Sequence, residues 1–115
     1  MIERRKYPRL DNFLSVNYKV LGIDDSLVNT VCKNISAGGI CFPVKEDIQQ
    51  ETLLEIDIYI REIKKGIQAK GRVVWLKRRE DKCYPYIVGV EFTEIEDGER
   101  DFILHYVWEK LREKE

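Results

Sequence analysis

The N-terminal residues concentrate chemistry that suggests a binding site. Residues 3–9, with the sequence ERRKYPR, carry four cations, one aromatic ring and one proline. Pro8 is incompatible with a helix interior and biases Tyr7 toward extended backbone. Arg5 and Arg9 therefore lie on an extended strap, where their planar guanidinium groups can bind a phosphate or the O6/N7 edge of guanine. A basic tail is also typical of a solvated chain end.

A second polar motif lies at residues 34–39, with the sequence NISAGG. Its composition is that of a plain turn, but it also suits an anion and a purine. Gly38 and Gly39 can expose backbone N–H groups and allow close approach of a ligand. Ser36 can donate its hydroxyl to a phosphate oxygen, and Asn34 carries a donor and an acceptor for a base edge.

Length and charge limit the possible classes of protein. A chain of 115 residues is expected to form one domain, with enough core to fold without a disulfide or a metal. The 20 Lys and Arg residues nearly balance the 21 Asp and Glu residues, which argues against a general nucleic-acid binder. The cations are nevertheless clustered, first in the strap and again at Arg72, Lys77, Arg78 and Arg79.

The three cysteines, Cys32, Cys41 and Cys83, form no C-x-x-C pair, so neither a disulfide framework nor a zinc site is indicated. No cofactor or metal is expected. No apolar run has the length of a membrane span, and the N-terminus lacks the apolar centre of a signal peptide. We expect a cytoplasmic protein without direct membrane insertion.

Apolar and polar residues alternate in six segments, which predicts six strands. They cover residues 14–20, 28–32, 40–43, 54–61, 67–78 and 86–92. Within the last of these, Gly89 predicts a bulge, a bend or a close neighbour. Apolar residues then recur at helical spacing between residues 96 and 115, which predicts a C-terminal helix.

Six strands joined by short turns predict a mainly-β fold, a six-stranded antiparallel β-barrel with a C-terminal α-helix. The expected layout is a single domain over residues 1–115. Within it, residues 1–11 form a flexible basic strap, residues 12–93 the barrel and residues 96–115 the helix.

The two polar motifs, in this order and within this layout, resemble those of the PilZ domain, a bacterial receptor module for cyclic di-GMP. That family is marked by an R-x-x-x-R tail and a following [DN]-x-S-x-x-G loop. Arg5 to Arg9 matches the first motif, with Arg4 preceding it, and residues 34–39 match the second. Residues 71–75 and 86–92 are similar to the fifth and sixth strands of the family, so the resemblance covers nearly the whole chain.

The resemblance implies a cyclic di-GMP site between the strap, the loop and the outer barrel surface. The arginines are expected to grip phosphate and guanine, and the loop residues to contact both groups. Trp75 either borders this site or faces the core in line with Val73, and Arg78 and Arg79 either stack on a guanine or form a solvated turn. The predicted ligand-binding residues are Arg4, Arg5, Arg9, Asn34, Ser36, Gly38, Gly39 and Trp75.

As a receptor, the chain is expected to act alone, to close its strap over the ligand and to relay the signal to an unidentified partner protein. Motility and biofilm formation are the expected processes. Whether it is a monomer or a homodimer, and whether it binds one nucleotide or an intercalated pair, stays open.

One alternative to the receptor is a protein-interaction module that acts without nucleotide. A small barrel that binds RNA or single-stranded DNA is disfavoured by the net charge of −1 and by the lack of a stacking platform on one sheet face. No enzyme is expected, because the single histidine, His105, lies within the predicted helix and no catalytic triad emerges.

Overall fold

The computed structural model describes residues 6–22 and 26–113, which form eight strands, one short 3-10 helix and one α-helix. The 3-10 helix, Arg61–Ile63, connects two long strands. In chain order, the strands and the helix are β1 (Leu10–Asp11), β2 (Ser15–Val20), β3 (Val28–Val31), β4 (Asn34–Ser36), β5 (Gly39–Val44), β6 (Leu53–Ile60), β7 (Lys65–Arg78), β8 (Tyr86–Glu94) and α1 (Asp97–Glu113).

All eight strands belong to one antiparallel sheet with the order β1-β4-β5-β8-β7-β6-β2-β3. The sheet curls so that β3 comes beside β5. The Thr30 hydroxyl on β3 donates a hydrogen bond of 2.8 Å to the carbonyl of Pro43 on β5. The backbone N–H of Lys33 donates to the carbonyl of Cys41 at 2.8 Å. The Thr30 bond joins the two sides of the curled sheet, whereas the Lys33 bond extends the β4–β5 pairing. The curled sheet encloses the apolar core.

The core is formed by the alternate residues that point to the inner face of the sheet. On β6, Leu54, Ile56, Ile58 and Ile60 are all buried, as the alternating sequence predicts. The mainly-β antiparallel fold with a C-terminal helix is therefore confirmed. The number of strands differs, because the structure has two short strands, β1 and β4, in addition to the six expected ones.

The two additional strands pair with each other and lie in segments that the sequence assigned to the strap and to a loop. Leu10 pairs with Ile35, and Asp11 pairs with Asn34. Leu10 and Ile35 are each 1% exposed, so burial of these two side chains holds the short strands in place. Leu10 thus anchors the strap end that was expected to be flexible. Two- and three-residue strands are too short for an alternating pattern.

The helix α1 packs on one end of the sheet through the buried residues Ile103, Tyr106 and Val107. Asn12 donates a hydrogen bond of 2.8 Å to the Tyr106 hydroxyl, which itself donates to Glu62 at 2.9 Å. Partial burial and the Glu62 carboxylate raise the pKa of Tyr106 to about 12. No helix in the described ranges is long and apolar enough to span a membrane.

Candidate ligand-binding site

Four of the outward-facing positions form a row across adjacent strands, which we call the Trp75 row. The register pairs Asn34 on β4 with Cys41 on β5, Cys41 with Gly89 on β8, and Gly89 with Trp75 on β7. The Trp75 indole lies over Gly89, where a Cβ atom would come within 2.1 Å of the indole Nε1. Of the bulge, bend or close neighbour that the sequence left open for Gly89, the structure shows a close neighbour, Trp75.

The orientation of Trp75 is set by an irregularity in β7. Val73 pairs with Val90 and is completely buried, whereas Trp75 pairs with Gly89 and is partly exposed. The register shift between Val73 and Trp75 marks a β-bulge at Val74, and an extra residue reverses the inside–outside alternation. Trp75 consequently lies on the outer face rather than in line with Val73, so the structure decides between the two expectations for this residue.

A second row, the Glu91 row, runs parallel to the first. Ser36 on β4 pairs with Gly39 on β5, Gly39 pairs with Glu91 on β8, and Glu91 pairs with Arg72 on β7. A Cβ atom on Gly39 would lie 2.2 Å from the carbonyl oxygen of Val90. Position 39 therefore needs glycine because β5 and β8 approach each other closely, and not because of its backbone conformation. Among the described residues, the glycine with a positive φ is Gly22.

The turn between β4 and β5 holds the strap. The Gly38 N–H donates to the Ser36 hydroxyl oxygen at 3.1 Å, and the Gly38 carbonyl accepts from the Phe92 N–H at 2.9 Å. The Gly38 N–H is thus already engaged by Ser36. The Tyr7 ring packs on this turn. Its Cδ2 atom lies 3.0 Å from the position that a Cβ atom on Gly38 would occupy. The β1–β4 register places Arg9 at the Ser36 end of the hairpin.

These two rows and the strap enclose a groove of about 160 Å³. Six of the eight predicted ligand-binding residues line it, namely Arg9, Asn34, Ser36, Gly38, Gly39 and Trp75. Arg4 and Arg5 lie outside the described residues. The groove is completed by residues that the sequence did not single out as ligand contacts, which are Ile40, Cys41, Val74, Gly89, Val90 and Glu91.

Three cations lie near the groove, namely Arg9, Lys33 and Lys77. Burial raises the pKa of the Cys41 thiol, and the positive charges of Lys33, Arg9 and Lys77 act in the opposite direction. Three cations are thus close to the groove floor. None of them forms a salt bridge with another residue in ranges 6–22 and 26–113. The Lys77 ammonium lies 5.4 Å from the centre of the Trp75 ring.

The sequence carried signals for both additional lysines. Lys33 directly precedes the N-x-S-x-x-G motif, and Lys77 is the next outward position after Trp75 on β7. Arg78 and Arg79 do not line the groove. Arg78 packs on the Tyr86 ring at 5.7 Å, and Arg79 forms a 3.4 Å ion pair with Asp81 in the β7–β8 turn.

A larger groove, of about 1120 Å³, covers the outer face of β2, β6 and β7. Two of the lysines on this face are ion-paired, because Lys70 pairs with Glu94 at 3.7 Å and neighbouring Lys19 pairs with Glu55 at 3.2 Å. We assign the candidate site to the smaller groove, because six of the eight predicted ligand-binding residues line it. Within the described residues, no cluster of His, Cys, Asp or Glu could hold a metal ion.

Comparison with known proteins agrees with this geometry. A family model described as the PilZ domain matches residues 3–109, which is most of the chain. The chain belongs to the PilZ domain family. Both PilZ motifs, the R-x-x-x-R tail and the N-x-S-x-x-G loop, lie within the matched range. No curated protein sequence matches the chain.

Solved PilZ structures share the fold. The Bacillus subtilis inhibitor of motility, MotI/DgrA, is 26% identical with a TM-score of 0.85, and the match covers 98% of this chain and 54% of that one. The chain therefore spans about half the length of MotI/DgrA. The PilZ domain of Escherichia coli YcgR with c-di-GMP is 15% identical, with a TM-score of 0.73 and coverage of 97% of both chains.

A third similar structure is the K. pneumonia MrkH–c-di-GMP complex. It is 16% identical to this chain and has a TM-score of 0.76. The match covers 98% of this chain and 55% of MrkH. At this level of identity, the YcgR and MrkH structures establish the shared fold.

Proposed function

We propose that the chain is a receptor for cyclic di-GMP. The observation that carries this proposal is the convergence of Arg9, Ser36 and Trp75 on one groove, although they come from the strap, from β4 and from β7. Two structures that share the fold, those of YcgR and MrkH, contain c-di-GMP. Membership of the PilZ family supports the same ligand.

The chemistry of the groove suits this ligand, which carries two phosphates and two guanines. Arg9 supplies a guanidinium fork for a phosphate or for the O6/N7 edge of guanine, and one bidentate arginine–guanine contact contributes about 1–3 kcal/mol. Trp75 supplies a partly exposed ring for stacking, which contributes a similar amount per base. Lys33 and Lys77 add positive charge beside it.

The size of the groove indicates that further residues complete the site. Ligand sites usually enclose about 300–1,000 Å³, whereas the groove encloses about 160 Å³. Arg4 and Arg5 precede Tyr7, which packs on the rim of the groove at Gly38. We therefore propose that Arg4 and Arg5 supply the missing wall when the ligand binds.

Signal relay would follow from closure of the strap. Positioning residues before Tyr7 costs roughly 1–2 kcal/mol per residue, and the arginine contacts with the ligand offset this cost. Closure would change the surface around the β4–β5 turn, which a partner protein can recognise. The similarity to MotI/DgrA, the Bacillus subtilis inhibitor of motility, favours a partner in the control of motility.

Isothermal titration calorimetry of the purified chain tests the proposal. We expect saturable binding of cyclic di-GMP and no comparable binding of GMP or of a short single-stranded oligonucleotide. The same titration returns the stoichiometry, which separates one nucleotide from an intercalated pair. Absence of cyclic di-GMP binding would contradict the proposal and favour a module that binds its partner without nucleotide.

A further inference from the structure

The acidic residue in the candidate site requires an explanation. Glu91 lines the groove together with Arg9, and its side chain is 53% exposed. A carboxylate at this place repels a ligand that carries two phosphate charges. It therefore weakens binding unless it meets hydrogen-bond donors on the same ligand. Guanine has such donors, the N1–H and the 2-amino group, on its Watson–Crick edge.

The Glu91 row provides a place for one flat base. Gly39 has no side chain, so in this row no side chain stands between Ser36 and Glu91 on the outer face. These two residues are two strand spacings apart, about 9–10 Å between their backbones. In the Trp75 row the corresponding gap at Gly89 is covered by the Trp75 indole. Gly39 therefore forms a part of the groove floor that carries no side chain.

The hydrogen-bonding groups on the two sides of this gap complement the two edges of guanine. Arg9 and the Ser36 hydroxyl lie on one side, where they can meet the O6 and N7 acceptors. Glu91 lies on the other side, where its carboxylate can accept from N1–H and the 2-amino group. Adenine lacks the 2-amino group and presents an N1 lone pair, which a carboxylate repels.

The Glu91 carboxylate is held in place from the strand beyond it. Arg72 on β7 donates to Glu91 Oε2 at 3.1 Å, and its other terminal nitrogen donates to Glu51 at 3.1 Å. A side chain oriented by such an ion pair loses little further conformational freedom when it accepts hydrogen bonds from a base. The Glu51 carboxylate does not line the groove.

We propose that Glu91 accepts hydrogen bonds from the Watson–Crick edge of one guanine and makes the site selective for guanine. This inference rests on the proposed function, because it assigns a specificity residue to the same groove. Glu91 is not part of either sequence motif, and only the strand register brings it beside Ser36 and Gly39.

Calorimetry with three ligands tests the inference on the wild-type chain. The ligands are cyclic di-GMP, cyclic di-AMP and cyclic di-IMP, which differs from cyclic di-GMP by loss of the 2-amino group. Hydrogen bonds to charged groups contribute enough to affinity that loss of this amino group is expected to weaken binding about tenfold or more. Cyclic di-AMP is expected to bind more weakly still.

The variant Glu91→Gln probes the carboxylate itself. We expect its affinity for cyclic di-GMP to fall about tenfold and its preference for cyclic di-GMP over cyclic di-IMP to shrink to a few-fold. The matched control is Glu51→Gln, which breaks the other half of the Arg72 pair without changing the groove. This control is expected to keep both the affinity and the preference of the wild type.

Each other outcome contradicts a specific statement. If Glu91→Gln binds cyclic di-GMP as well as or better than the wild type, Glu91 does not accept from the base. If the wild type binds cyclic di-IMP and cyclic di-GMP equally, the site does not read the 2-amino group. If the wild type binds none of the three ligands, the receptor function fails as well.

Discussion

The outer surface of the sheet carries two polar faces that differ in how their cations are arranged. On the face formed by β2 and β6, with part of β7, each lysine sits opposite an acid on the next strand, as in the Lys19–Glu55 pair. On the groove face, Arg9, Lys33 and Lys77 surround Cys41 and form no salt bridge within the described ranges.

The glycines on the two faces also differ in how closely they contact their neighbours. Gly39 and Gly89, on the groove face, each contact a neighbour so closely that a Cβ atom would clash. Gly66, at the start of β7, has open space at its Cβ position. Cross-strand ion pairs stabilise a solvated face modestly. Cations that form no ion pair within the described ranges instead leave positive charge for a ligand beside the groove.

The largest expected effect is that of Gly39→Ala. The added methyl group would lie 2.2 Å from the Val90 carbonyl, so β5 must move away from β8. We expect the free energy of unfolding to fall by about 1–3 kcal/mol and most cyclic di-GMP binding to be lost. Chemical denaturation and calorimetry measure the two effects.

The matched control for Gly39→Ala is Gly66→Ala on the ion-paired face. It should stay within about 0.5 kcal/mol of the wild-type stability, because nothing lies near its Cβ position. Equal effects of the two substitutions would show that the close packing at Gly39 has no special role.

Arg9→Ala is expected to weaken cyclic di-GMP binding about tenfold or more while leaving the melting temperature unchanged. The Arg9 side chain is exposed, so its loss removes no core packing. Arg9→Lys should fail as well, because lysine lacks the planar fork. Lys70→Ala removes a cation from the ion-paired face and serves as the control. Should Lys70→Ala weaken binding as much as Arg9→Ala, the contrast between the faces would be wrong.

The two tryptophans, Trp75 and Trp108, offer a smaller, direct readout. Trp75 lines the groove, and Trp108 lies on α1 with 52% exposure. In a Trp108→Phe variant, cyclic di-GMP is expected to change the fluorescence of the remaining Trp75, whereas in Trp75→Phe the signal of Trp108 should stay constant. Trp75→Ala should lose about 1–3 kcal/mol of binding. A ligand response from Trp108 alone would place the site elsewhere.

The smallest effect on binding is expected at Glu62, far from the groove. Hydrogen bonds from Lys110 and Tyr106 lower the pKa of Glu62. Its contribution to stability is therefore present above its unfolded-state pKa and is lost as the pH falls through the lowered folded-state value. Glu62→Gln should lower the melting temperature slightly at pH 7, show no such difference in strong acid and leave ligand affinity unchanged. A difference that persists in strong acid would rule out the carboxylate charge as its cause.

The long elements could be predicted because each has a pattern of sufficient length. Strand β6 alternates over eight residues, and α1 repeats its apolar residues over 17. Strands β1 and β4 could not be predicted in the same way, because they span two and three residues and depend on the mutual burial of Leu10 and Ile35. Their pairing depends on tertiary contacts, which a local sequence pattern cannot predict.

The same distinction applies to the site. Arg9, Asn34 and Ser36 were predicted because they belong to short motifs with recognisable chemistry. Glu91 and Cys41 reach the groove only through strand register, which an isolated sequence does not specify. The outward orientation of Trp75 depends on a one-residue bulge at Val74, and simple alternation from Val73 points the indole to the opposite face.

Because the Trp75 indole stacks on Gly89, substitutions at these two positions are expected to depend on each other during evolution. Any side chain gained at position 89 would displace the ring, so such a change is tolerated only in a descendant that has already exchanged the tryptophan for a smaller residue. Conversely, once the tryptophan is lost, selection no longer maintains glycine opposite it. Covariation of positions 75 and 89 among related sequences would be the record of that constraint.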